Sequence, residues 1–318
     1  MSIEFDLIRR FFYRQLDQAN GVTCGIGDDA AVLNIPDGYE LAVSMDTLVA
    51  GIHFFSNTPA VDIGYKSLAV NLSDMAAMGA DPKWLTLSLT LPERDESWLQ
   101  GFMDGVKTIS TNYSLSLIGG DLCHGPLSIT FQVHGLLPAG HGLFRHSAKP
   151  GDLIYVSGTL GDAGMALQLL TGNKFTESAD HQFLRSRLER PEPKVKLGMA
   201  LLDIANSAID ISDGLVTDLA YITEASHIGA EIHLEKIPLS EAYLREADQN
   251  PEIALTAGDD YELCFTVPPE NTHLLDELIM AGHPISCIGE ITEGQDIKWL
   301  DANGNRVAMK TGGYSHFI

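Results

Sequence analysis

The chain has 318 residues, 45% of them hydrophobic, enough for about two domains of ~150 residues with real cores, which excludes wholesale disorder. It carries 43 Asp and Glu against 20 Lys and Arg, a formal net charge of −23, so with no basic run in the sequence a nucleic-acid partner is not expected. Cys24, Cys123, Cys264 and Cys287 lack metal or redox spacing, no apolar run approaches the ~20 residues that span a bilayer, and acids stand where a signal peptide would carry bases, so a reduced, cytoplasmic protein without a membrane partner is expected.

In chain order, Ile3, Leu7, Ile8, Phe11, Phe12 and Leu16 predict an amphipathic helix over residues 3–19. Gly27-Asp28-Asp29 is a tight turn into an apolar strand. The stretch 41–54 begins as an apolar strand, delivers Ser44, Met45 and Asp46, and continues through Gly51 to His53. Residues 62–78 predict a helix stopped by Gly79 and Pro82, with Asn71 and Asp74 on one face. Asp74, near the helix C-terminus, faces an unfavourable dipole, which hints at a compensating cation. Residues 84–91 alternate as a half-buried strand, 95–112 predict a helix, and the strand 115–118 is expected to end in Gly119-Gly120-Asp121. Another strand follows over 128–137.

Lys149-Pro150-Gly151-Asp152 is strong turn chemistry, and a boundary is expected there, giving domains 1–148 and 149–318. A strand over 153–157, a helix from Asp162 to about Leu170 and a helix over 194–206 follow. Asp210, Ser212 and Asp213 lie on a run that Gly214 breaks; Ser212 and Asp213 are also candidate caps of the next helix. Gly258-Asp259-Asp260 precedes a strand, and the chain ends in an aromatic-rich segment that includes Tyr314. Strands and helices come in mixed order, so the fold class is α/β (α+β) without a regular doubly wound sheet. There is no GK[ST] triplet and no GxGxxG after a strand.

Asp28, Asp29, Asp46, Asp74, Asp121, Asp210 and Asp213 all follow an apolar strand or sit at a turn or helix end. Each has a bland structural reading. Together they suit Mg2+, which takes oxygen ligands from a few carboxylates plus substrate phosphates. The residues alone therefore point to a Mg2+-dependent enzyme acting on a phosphorylated substrate.

These blocks, with Ser44-Met45-Asp46-Thr47-Leu48, Gly51-Ile52-His53-Phe54, Asn71-Leu72-Ser73-Asp74 and Asp260-Tyr261-Glu262-Leu263, resemble the thiamine-monophosphate kinases of the aminoimidazole ribonucleotide synthetase-like superfamily nearly end to end. The resemblance implies a two-domain fold whose N-terminal domain pairs through its sheet across a homodimer. It implies phosphorylation of thiamine monophosphate to thiamine diphosphate by ATP held in a cleft, through direct in-line transfer with several Mg2+ ions and no catalytic side chain in the covalent sense. It implies metal ligands at Asp29, Ser44, Met45, Asp46, Asp74, Asp121, Asp210 and Asp213, ATP contacts at Gly120, Asp121, Arg145 and Ser212, and thiamine-substrate contacts at His53, Asp259 and Tyr314. The family commonly has Thr where Met45 stands, which leaves Met45 only a backbone carbonyl for a hard cation. It often has Glu where Asp259 stands, so a water-bridged contact or Asp260 are alternatives there. A synthetase of the same superfamily and a non-catalytic nucleotide binder are the competing readings.

Overall fold

The computed structural model describes residues 6–13, 21–247 and 251–309, so Tyr314 and most of the expected first helix lie outside the described residues. The chain divides into two compact units, Met1–Met75 with Ala80–His141, and Ala76–Gly79 with Gly142–Ile318.

In the first unit, what is described of the N-terminal helix is a π-helical turn, Ile8–Phe12, that buries Phe11 and Phe12. Strands β1 (Val22–Cys24) and β2 (Val32–Leu33) pair with each other, and Val22 and Leu33 pack against Trp84, Ile118 and Leu136. The main elements are β3 (Tyr39–Val49), α1 (Ala60–Met78), β4 (Asp81–Leu91), α2 (Glu96–Tyr113), β5 (Ser116–His124) and β6 (Ser128–Pro138). Asp95 caps α2 by accepting from Ser97 N and Trp98 N, each at 2.9 Å.

The four strands form a sheet in the order β3-β6-β4-β5, in which β4 and β5 are parallel, joined through α2, and the other neighbours antiparallel. Period-two alternation gives the sheet two faces. On one, Leu85, Leu87 and Leu89 of β4 and Ile129, Phe131 and Val133 of β6 are buried under the helices. Phe102 of α2 stacks on Phe131 with ring centroids 6.4 Å apart. The two helices touch backbone to backbone: a Cβ on Gly64 would lie 2.0 Å from Phe102 O, and one on Gly105 2.0 Å from Val61 O. On the other face, the edge strand β3 exposes Tyr39, Leu41, Val43 and Met45.

The strand expected to end at Gly119-Gly120-Asp121 instead runs through them to His124. A register shift at Leu85/Thr86 sets Gly120 opposite Leu87, and a Cβ on Gly120 would meet Leu87 O at 2.0 Å, so glycine is what lets pairing continue.

The second unit opens with a 3-10 turn, Arg145–Ser147, then β7 (Leu153–Ser157), α3 (Asp162–Thr171), α4 (Ala179–Glu189), α5 (Val195–Ala200), β8 (Ser207–Asp210), α6 (Leu215–Ser226) and β9 (Gly229–His233). After these come α7 (Glu241–Glu246), α8 (Glu252–Thr256), β10 (Leu263–Val267), α9 (Leu275–Met280), β11 (Ile285–Thr292), β12 (Ile297–Leu300) and β13 (Arg306–Val307). Seven strands make one sheet in the order β13-β12-β9-β11-β7-β10-β8, in which only the β9–β12 pair is parallel.

One helix expectation needs correction, and one helix was not expected at all. The helix expected over 194–206 stops at Ala200, because residues 201–204 wind into a turn that lets Asn206 N bond Thr266 O at 2.8 Å and start β8. Helix α4 had no strong apolar period to announce it: its buried residues are only His181, Leu184 and Leu188. Ser178 caps it by accepting from His181 N.

Candidate active site

Each unit carries its own set of polar donors. In the first, β3 alternation turns Ser44 and Asp46 toward the helices and Met45 away, 62% exposed. The Met45 side chain is therefore on the opposite face from its two neighbours. Asp74, in the last turns of α1, accepts from Ser44 Oγ and is hydrogen-bonded to Asp46. Burial, then the Asp74 charge and that hydrogen bond, push the Asp46 carboxyl up to about 7. Two carboxylates share one small, partly desolvated space, an arrangement that a cation relieves.

His53 lies in the turn after β3. Its Nδ1 accepts from Val49 N at 3.0 Å, so the neutral ring carries its proton on Nε2 and can donate from there. The other acids of this unit stand apart from the pair. Asp29 is exposed, its own N donating to Asp28 Oδ1 at 2.9 Å. In the sheet, Asp46 is aligned with Phe131, Leu87 and Gly120, whereas Asp121 is aligned with Ser88 and Thr130. Asp121 is thus on the exposed face, three strands and roughly 14 Å across the sheet. There it accepts from Cys123 Sγ at 2.9 Å.

In the second unit, Asp210 ends β8 and is buried. Residues 211–213 then bend. Ser212 O accepts from Asp259 N at 2.9 Å and Ile211 O from Tyr261 N at 2.8 Å. The two loops touch at Gly258, where a Cβ would lie 2.1 Å from Ser212 O. Ser212 and Asp213 do not cap the next helix: its N-cap is Gly214, φ +109°, with no side-chain cap. The capping work falls to Asp218, whose carboxylate accepts from Asp213 N and Gly214 N, both at 3.0 Å. Burial pushes Asp218 up to about 7 even though these amides oppose the shift.

Asp259 is half-buried with φ +70°, and accepts from Tyr261 Oη at 2.9 Å. Asp260 is buried and engaged elsewhere, accepting from Gly161 N at 2.8 Å. Glu262, also buried, accepts from Arg187 at 2.6 Å and Ser157 Oγ at 2.5 Å, with Lys194 Nζ at 3.3 Å. Arg145 is exposed, its guanidinium 5.8 Å from the Tyr221 ring centroid and its carbonyl held by Ser226 Oγ at 2.7 Å.

Among the described residues, no group of three or more His, Cys, Asp or Glu side chains gathers closely enough to hold a metal ion. The pair Asp46 and Asp74, with Ser44, is what the fold does bring together. It fits Mg2+, which takes one or two carboxylates and fills its other positions with water and substrate phosphate oxygens.

The pattern described as AIR synthase related protein, N-terminal domain, matches residues 27–137, and that of the C-terminal domain matches residues 149–300. Over 320 residues the chain is 48% identical to the thiamine-monophosphate kinase of Salmonella typhimurium (strain LT2), spanning 99% of this chain and 98% of that one. This chain belongs to the thiamine-monophosphate kinase family. The thiamine-monophosphate kinase of Escherichia coli (strain K12) stands at the same 48% identity and the same coverage. Among solved structures, thiamine-monophosphate kinase from Stenotrophomonas maltophilia K279a superposes with a TM-score of 0.88 at 42% identity, covering 96% of this chain and 98% of that one. AaThiL complexed with AMPPCP and TMP superposes at 0.80 with 31% identity, covering 98% and 96%.

In this member of the thiamine-monophosphate kinase family, sequence reasoning missed Asp218 and the Arg187–Glu262 pair. Asp218 had a readable signal, an acid in the first turns of a helix that follows a glycine. Arg187 had none, since its partner lies 75 residues away in the chain.

Proposed function

We infer that this chain transfers the terminal phosphoryl group of ATP to thiamine monophosphate, giving thiamine diphosphate. The observation that carries the reading is its end-to-end identity with thiamine-monophosphate kinases. The carboxylate pair at Asp46 and Asp74 supports the chemistry. The acceptor is itself a phosphate, so it is a nucleophile without a strong base, and the difficulty is bringing two anions together rather than activating either. The transfer is read as direct and in line, with no phosphorylated enzyme.

Asp46, Asp74 and Ser44 would hold Mg2+, with Met45 offering only its main chain, and Asp29, Asp121, Asp210 and Asp213 are assigned to the several Mg2+ ions by resemblance alone. What magnesium supplies when bound is neutralisation of charge between carboxylates and phosphates. Gly120 and Asp121 are assigned to ATP by resemblance, Ser212 offers a hydroxyl, and Arg145 adds a fixed positive charge toward its phosphates. His53 Nε2 donates toward the acceptor substrate. Asp259, held by Tyr261, complements the positively charged thiamine, and Tyr314 is assigned to the same substrate by resemblance.

We further propose a homodimer built on the sheet of the first unit. The exposed apolar row Tyr39, Leu41, Val43 and Met45 on an edge strand supports it, because such a row is an unfavourable surface in water. No described helix is long and apolar enough to cross a membrane. The four cysteines are free, which supports a cytoplasmic setting. The test is purified protein with ATP, Mg2+ and thiamine monophosphate, alongside free thiamine and phosphoribosyl acceptors. Thiamine diphosphate and ADP in equal amounts are expected; no product at saturation, or turnover driven only by another acceptor, would overturn the reading.

A further inference from the structure

Asn71 lies in the interior of α1 and is fully buried. An amide is a poor choice there, since it is a weak helix former and costly to desolvate, and an apolar residue of the same size would pack at no such cost. Half of that cost is not recovered: Asn71 Oδ1 is buried with no hydrogen-bond partner among the described residues. The other half makes one directed bond, Nδ2 donating to Phe131 O of β6 at 2.8 Å.

The choice of partner is informative. Phe131 is the residue that stands opposite Asp46 in the β3–β6 pairing. Asp74 follows Asn71 by three residues and so shares its helix face. The tie from Asn71 to Phe131 therefore sets the height of α1 over the sheet at the level where Asp74 meets Asp46 and Ser44. The N-terminal half of the helix is held differently, by the backbone contacts at Gly64 and Gly105 against α2. At the C-terminal half, Asp74 reaches β3 itself, accepting from Ser44 Oγ, so the level of the helix decides whether that contact is made.

We infer that Asn71 is a positioning residue. Its amide holds α1 to β6 so that Asp74 stays within reach of Asp46 before any cation arrives, and the pair is preorganised for the metal. This rests on the magnesium reading of that pair. Groups that orient metal ligands without touching the metal typically change affinity by about 10–100-fold when removed.

The experiment uses Asn71→Leu and Asn71→Ala in the full chain. Mn2+ binding is followed by electron paramagnetic resonance without nucleotide, together with the unfolding midpoint and the Mg2+ concentration for half-maximal turnover. We expect both cation constants to rise at least about tenfold. The cation-free unfolding midpoint should shift only by a few degrees and the KM for thiamine monophosphate should stay near that of the wild type. A folded variant with unchanged Mn2+ affinity overturns the assignment. So does failure of both variants to fold, which would make Asn71 a folding residue. Asp46→Asn separates this from the underlying reading. If the wild type binds no Mn2+, or Asp46→Asn binds it equally well, the magnesium site itself fails and the role of Asn71 fails with it.

Discussion

Burial first, and the neighbouring Asp74 second, raise the Asp46 carboxyl to about 7. Replacing either carboxylate by its amide removes a charge from that space and, on the proposed reading, a magnesium ligand. Asp46→Asn is therefore expected to lower turnover at least about a hundredfold while the unfolding midpoint is kept or rises, because no core packing is touched. Steady-state rates and thermal unfolding on the same sample check both halves, and full activity with normal Mg2+ dependence would remove Asp46 from the ligand set. Asp260 offers a contrasting test away from those ligands. Burial holds its carboxyl well above the usual carboxylate range, against the opposing pull of Gly161 N and Arg187. A folded-state pKa raised in this way favours folding below the unfolded value of about 4, and that contribution is lost as pH rises through the folded value. Asp260→Asn keeps an oxygen for Gly161 N and removes the titration. Its unfolding midpoint should exceed that of the wild type by a few degrees at pH 8, with the gap closing toward pH 4. A gap that widens toward acid would show that another group dominates.

At the level of elements, the segment β8–turn–α6 depends on one side chain reaching back. Asp218→Ala leaves the amides of Asp213 and Gly214 without their acceptor, a loss of about 1–2 kcal/mol by analogy with helix caps. Since the turn also carries Ser212, the KM for ATP should rise more than the KM for thiamine monophosphate; equal changes in both would mean that the turn is only structural. Much of this architecture is legible in the sequence. The alternation of Leu85, Leu87 and Leu89 and the stop at Gly79 mark β4 and the end of α1, because one buried face and one terminating glycine are local signals. Asp46 and Asp74 are legible as candidate acids, though not as a touching pair, and Asp46 lies inside β3, which runs on to Val49, rather than at the strand end the sequence suggests. What escapes is what depends on distant chain. Helix α4 is held by buried His181, whose Nε2 meets Glu246 at 3.0 Å. The continuation of β5 through Gly119-Gly120-Asp121 depends on the backbone of β4, and the separation of Asp121 from Asp46 depends on strand order.

For the molecule as a whole, the outer row of β3 decides the oligomeric state proposed above. Val43→Glu places a charge in the middle of that row, on the face away from Ser44 and Asp46. It should convert a dimer to a monomer in sedimentation at micromolar concentration, as buried charge without a partner opposes association. A variant that sediments as the wild-type dimer would place the interface elsewhere.

Strand β3 thus presents the face proposed to hold the cation and the face proposed to pair with a second copy, and their residues alternate one by one. That interleaving makes the stretch sensitive to length rather than to composition. A single inserted or deleted residue between Tyr39 and Val43 would turn the downstream strand over, sending Met45 inward and Ser44 and Asp46 outward, and would damage cation binding and assembly in one step. An insertion scan should therefore find a narrow forbidden window here, where paired insertions of two residues are better tolerated than single ones.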